Sequence, residues 1–192
     1  MINLQRKFPI DHLCFRKIAE LGLASLNQSK NQVVLIFVND QRMRHLNKTF
    51  RGKRKTTDVL SFSYQKERFL KDLGSPDGEV VISLQQAKRQ ADDAGIPLFD
   101  EIVNLIIHGL CHLKGYDHEI GEREASLMKK VERKTARFIQ QGYQQWLNTQ
   151  PEHLSNTMLQ ESPPSFKGKI PDDFPQSTKN SLETNKGKEH SS

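Results

Sequence analysis

The chain is poor in cysteine, with Cys14 and Cys111 as its two thiols. Two cysteines build no disulfide framework, which excludes the small secreted scaffolds that rely on one, and a reducing cytoplasmic setting fits. Long hydrophobic runs are missing too. No stretch reaches the length needed to cross a bilayer, and Met1 to Ile10 lacks the apolar segment of a secretory signal, so no membrane association is expected. Hydrophobic residues make up only 35% of the sequence, and the deficit is concentrated after Asn148. There Pro151, Pro163, Pro164, Pro171 and Pro175 are scattered among Ser, Thr, Asn, Gln and Lys. Such a segment cannot bury enough surface to offset its chain entropy. The expectation is one folded domain over residues 1–147 and a disordered polar tail over residues 148–192.

Acidic side chains are absent from one window. Between Arg42 and Lys55 come Arg42, Arg44, Lys48, Arg51, Lys53, Arg54 and Lys55 with no Asp or Glu among them. The formal net charge is +6, and because opposite charges nearly cancel beyond Asn148 the excess sits on the folded part. A basic run is ordinarily a solvated face. Beside a metal site it suggests a phosphate-rich partner.

The folded part alternates between the two main periodicities. Met1–Lys7 reads as a short edge strand, and Asp11–Leu21 as an amphipathic helix stopped near Gly22. The β-branched and aromatic run Gln32–Val38 predicts a central strand buried on both faces. Asn39 or Asp40 caps a helix that reaches about Phe50 and carries Met43, Leu46 and Asn47 on one side. A basic loop, Arg51–Thr56, precedes a strand at Thr57–Tyr64. Lys66–Asp77 is a polar connection, and Gly78–Ile82 is a further strand. Ser83 with Gln86 forms a capping box for a helix at Leu84–Ala94, closed by Gly95 and Pro97. Two more helices follow, Leu98–Lys114 and Gly121–Trp146. The pattern is that of an α+β fold: a small mixed β-sheet packed with helices, one of them a zincin-like metal helix near the concave side.

That helix holds the chemistry. Glycine and proline are missing from Ile102–Ile107, and the run leads into His108, Gly109, Leu110, Cys111 and His112. Histidines four apart on a helix lie on one face about 6 Å apart, close enough to share a metal ion. Gly115 supplies a left-handed residue to end the helix, and the turn can bring His118 back as a third ligand. The spacing His-x3-His-x5-His with Gly three residues after the second His is that of the metzincin proteases. Their general-base Glu is missing: Gly109 stands in its place. What survives is a site of three neutral ligands without the carboxylate that drives peptide cleavage. Three histidines leave an open position, the catalytic pattern, whereas a structural zinc needs a fourth protein ligand. Cys111 points to another side of the helix and reads as a small core residue. His12, His45, His153 and His190 read as solvated.

Three stretches in order resemble one family. They are Leu46–Lys53 leading into Thr57-Asp58-Val59-Leu60-Ser61-Phe62, then Gly78–Ser83, then His108-Gly109-x-x-His112-Leu113-x-Gly115-Tyr116-Asp117-His118. Together they resemble the YbeY family of zinc-dependent endoribonucleases over roughly Met1 to Trp146. The resemblance implies one Zn2+ held by His108, His112 and His118, with Arg51 and His108 as catalytic positions. It implies a single-strand-specific endoribonuclease acting in 16S rRNA 3′-end maturation and ribosome quality control, with ribosomal RNA and the small ribosomal subunit as partners. Glu79 departs from the family, which usually has Asp there. Asp58, Asp117 and Glu119 are candidates for a general base, although Asp58 can equally anchor its strand and Asp117 orient a ligand histidine. Phe62 reads as core, and Tyr116 packs against the histidine helix or stacks on a base. A second class of function is a ribosome assembly factor that binds rRNA with a structural zinc. A metalloprotease ranks third because of Gly109.

Overall fold

The structure is a computed structural model that describes residues 1–64 and 75–150. Most of the expected polar connection Lys66–Asp77 and of the expected tail 148–192 lies outside the described residues.

Strands β1 (Ile2–Asn3), β2 (Val33–Val38), β3 (Val59–Ser63) and β4 (Gly78–Ser83) form one mixed sheet in the order β1-β2-β4-β3. β1 and β4 flank β2 in parallel, and β3 runs antiparallel to β4 with Leu60 opposite Val81. The helices are α1 (His12–Ser25), α2 (Asp40–Arg51), α3 (Leu84–Ala94), α4 (Leu98–Leu113) and α5 (Glu122–Leu147). This is the expected α+β architecture.

The sheet's period of two sorts its side chains between two cores. Leu35 and Phe37 of β2 and Val80 and Ile82 of β4 face the large core, shared with α1, α3, α4 and α5. Val38 and Val81 turn the other way and pack with Leu60 and with Met43 of α2. Val33, Val34 and Ile36 are only half-buried. Burial on both faces therefore holds for only part of the strand.

Element ends follow from their capping chemistry. Asn39 accepts from the Arg42 amide to start α2, and Ser83 accepts from the Gln86 amide to start α3. Gly52 and Gly95 end those two helices in the left-handed conformation. α1 does not stop at Gly22 but continues to Ser25. Gly22 serves packing there: a Cβ on it would lie 2.7 Å from Leu110 Cδ1, so its lack of a side chain lets α1 approach α4.

α4 is almost wholly buried, and this fixes the site. Ile102, Val103, Leu105, Ile106, Ile107, Leu110 and Cys111 all belong to the large core. Gly109 lies against the sheet, where a Cβ would meet Val80 Cγ1 at 2.5 Å and Ser61 Oγ at 3.1 Å. The Ser61 hydroxyl donates to the Gly109 carbonyl at 3.3 Å. Among the described residues no single helix is long and apolar enough to cross a membrane.

Candidate metal centre

His108 and His112 project from one face of the last two turns of α4. The helix then closes with paired bonds, Gly115 N–H to His112 O at 2.9 Å and Tyr116 N–H to Cys111 O at 3.0 Å. This is a Schellman arrangement, with Gly115 at φ +97. The chain reverses there, and His118 returns over the two helical histidines. Ring centroids of His108, His112 and His118 lie 4.6 to 5.3 Å apart. One ligand nitrogen from each ring falls within 4.8 Å of the others. The three histidines named from the sequence are therefore brought together.

Their donor set fits a metal ion. His108 Nε2 and His112 Nε2 are 3.1 Å apart. Tetrahedral zinc with bonds of about 2.0–2.1 Å holds its ligand atoms roughly 3.3 Å from one another. The His112 pKa is pushed down to about 4 by burial first, then by His108 and His118 and by the Arg51 charge, with Asp117 opposing. A neutral imidazole is the form that ligates a cation.

Glu132, which the sequence reasoning did not single out, completes the arrangement from α5. Its Oε1 lies 2.8 Å from His108 Nδ1, and both side chains are buried. A carboxylate accepts, so Nδ1 carries the proton and the Nε2 lone pair faces His112. The signal was present: Glu132 falls in the stripe Met128, Thr135, Ala136 and Ile139, the buried face of α5. An acid on such a face needs a buried partner.

The remaining candidates separate clearly. Arg51 is the last residue of α2 and half-buried, and its charge reaches His112. The buried Asn47 ties down the loop beyond it: its Nδ2 donates to Lys55 O at 2.7 Å, and its backbone carbonyl accepts from Lys53 N–H at 3.2 Å. Asp58 is an anchor: its carboxylate accepts from Val59 N–H at 2.8 Å, Thr57 Oγ1 at 3.0 Å and Gln90 Nε2 at 3.0 Å. Asp117 accepts from the Glu119 amide at 2.8 Å and acts on His112 through its charge. Glu119 is exposed. Cys111 lies in the core, where burial and the Glu132 charge push its thiol pKa up. Tyr116 packs against the large core, and Phe62 against Phe50 with ring centroids 4.9 Å apart. Glu79 accepts from the Tyr64 hydroxyl at 3.2 Å.

Beneath the histidines, Glu101 lies two turns earlier on α4. Burial lifts its pKa to about 7, with the Asn104 hydrogen bond opposing, the Asp58 charge adding to the rise and His108 opposing. Burial likewise raises Asp100 to about 6.

Fold and site together define a small α+β protein with a three-histidine group placed to hold a metal ion. Residues 2–140 match the family model Endoribonuclease YbeY, and the chain belongs to that family. An Aquifex aeolicus relative named Endoribonuclease YbeY is 44% identical over 60% of this chain and 75% of its own length. A Geobacter sulfurreducens relative of the same name is 36% identical over 73% of this chain and 94% of its own. The solution structure of TM1509 from Thermotoga maritima shares the fold, with TM-score 0.51 and 23% identity over 76% of this chain and 89% of that one.

Proposed function

We propose that this chain is a zinc-dependent endoribonuclease that cleaves single-stranded RNA, acting in 16S rRNA 3′-end maturation and ribosome quality control. Family membership supports the class of reaction, RNA phosphodiester cleavage. The observation that carries the reading is the convergence of three imidazole nitrogens within 4.8 Å beside an arginine-bearing helix end. His108, His112 and His118 would hold one Zn2+, and Arg51 and His108 are the catalytic positions. When bound, the zinc would act as a Lewis acid and lower the pKa of a water at its open position.

The chain's own residues supply the rest. Glu132 keeps the proton on His108 Nδ1 and so keeps the Nε2 lone pair available. Arg51 offers a planar fork of donors to a phosphate and stabilises charge that builds on its oxygens. A Cβ at Gly109 would lie 2.5 Å from Val80 Cγ1, so the carboxylate that the protease motif places at this position is poorly accommodated here. The basic run between Arg42 and Lys55 draws the RNA backbone toward Arg51. Ribosomal RNA within the small subunit is the proposed partner, and the cytoplasm the proposed location.

The reading is tested with His112→Ala, assayed for RNA cleavage and for binding to small ribosomal subunits. Loss of cleavage with binding kept supports the enzyme. If folding and subunit binding vanish together with the metal, the zinc is structural and the protein is an assembly factor.

A further inference from the structure

The outward face of α5 carries a basic stripe that is separate from the histidine group. Lys130, Arg133, Lys134, Arg137, Phe138 and Gln141 recur three and four residues apart and line a shallow open hollow of about 460 Å³. With 3.6 residues per turn, this group centres roughly 180° around the helix from Glu132. Glu132 faces His108, so the stripe lies on the far side of α5 from the metal ligands.

Two features set the stripe apart from an ordinary solvated face. Three of its cations repel one another at helical spacing: Lys134 lies four residues from Lys130 and three from Arg137. Such like-charge pairs work against the helix that carries them. The acids of α5 offer little relief, since Glu122 and Glu124 are in its first turn and Glu132 is buried at the site. Phe138 then stands 43% exposed among the cations. Cations that follow a phosphate backbone, beside an aromatic ring on which a base can stack, are the elements of single-strand binding.

We infer that this face of α5 is an exosite for single-stranded RNA, contacting phosphates with Lys130, Lys134 and Arg137 and a base with Phe138. The identity of the polyanion rests on the reading of the histidine site as RNA-cleaving. A strand reaching both surfaces must pass around α5, so only substrates of several nucleotides beyond the cleavage site engage the exosite. Short substrates do not.

The test is the full chain carrying Lys130→Glu, Lys134→Glu and Arg137→Glu together, all at exposed positions. Binding is measured by fluorescence anisotropy across a salt series, with single-stranded DNA probes of about 40 and about 8 nucleotides that present the same phosphates. Affinity for the long probe should fall about 10- to 100-fold, and its log–log salt slope should shrink by about 2, given roughly 0.7 per phosphate contact. With RNA substrates, KM should rise for the long one while kcat, and both constants for the short one, stay unchanged. Unchanged long-probe affinity and salt slope would overturn the exosite. Absence of RNA cleavage by the unmodified protein would refute the reading of the histidine site instead, and the binding result would still decide the exosite.

Discussion

His108 Nδ1 and Glu132 Oε1 are 2.8 Å apart, and the two buried side chains join the last turns of α4 to the middle of α5. This hydrogen bond fixes the tautomer and ties the ring to the neighbouring helix. Removing the acceptor strands a buried N–H, which costs about 1–3 kcal/mol. Partners of this kind typically account for 10- to 100-fold in metal affinity. Glu132→Ala should weaken zinc binding by about that factor in a competition titration with a chromogenic chelator, whereas Glu132→Gln, which retains an acceptor oxygen, should recover most of it. Equal affinities for all three proteins would remove Glu132 from the site.

Arg51 is expected to act on the phosphate and not on the metal. Arg51→Lys keeps the charge but loses the fork, and Arg51→Ala loses both. Loss of one donor to a developing oxyanion costs about 10²–10³ in kcat. Arg51→Ala should show a fall of that order in steady-state RNA cleavage, with zinc content and melting temperature unchanged.

Gly109 sets a packing limit. Its absent Cβ would come within 2.5 Å of Val80 Cγ1, so Gly109→Ala forces α4 off the sheet or Val80 out of its rotamer. Overpacking of this kind costs about 1–3 kcal/mol. Urea denaturation should show that loss, and Val80→Ala in the same chain should restore part of it. Gly109→Glu, which would copy the protease motif, should fail to fold and not become a peptidase.

The buried acids of α4 predict how stability depends on pH. Glu101 moves from 4.5 to about 7 on folding, so the folded state holds its proton more tightly than the unfolded state. Below about 4.5 both states are protonated and the group contributes no penalty. As pH rises from about 4.5 to about 7 the unfolded state ionises first, and stability falls. At about 1.4 kcal/mol per pH unit the full loss is on the order of 3 kcal/mol. Asp100 adds a smaller loss of the same sign up to about pH 6. His112, whose pKa folding lowers from 6.5 to about 4, opposes this by raising stability with pH up to about 6.5 in the metal-free protein. Urea denaturation of the chelator-treated protein at pH 5 and pH 8 should show the net decline, and Glu101→Gln should flatten it.

Much of this was legible in the sequence because the relevant signals are local. Ser83, Gln86 and Gly95 bound α3 within a few residues, and the spacing of His108, His112, Gly115 and His118 is a helix face followed by a Schellman turn. Gly22 was misread as a stop because glycine serves turns and close packing alike, and only Leu110 on a distant helix distinguishes the two. Glu132 was missed for a similar reason: its partner is 24 residues away on another helix. Asp58 carried two readings, and its partners, Val59 N–H, Thr57 Oγ1 and Gln90 Nε2, favour the anchor.

The most direct test of the central claim is RNA cleavage by the purified protein before metal stripping, after it, and after zinc is returned. A single-stranded RNA should be cut at the start, left intact once a chelator has removed the metal, and cut again at the original rate after about one equivalent of zinc per chain. Full cleavage by the stripped protein, or a purified protein that takes up no zinc, would contradict the account.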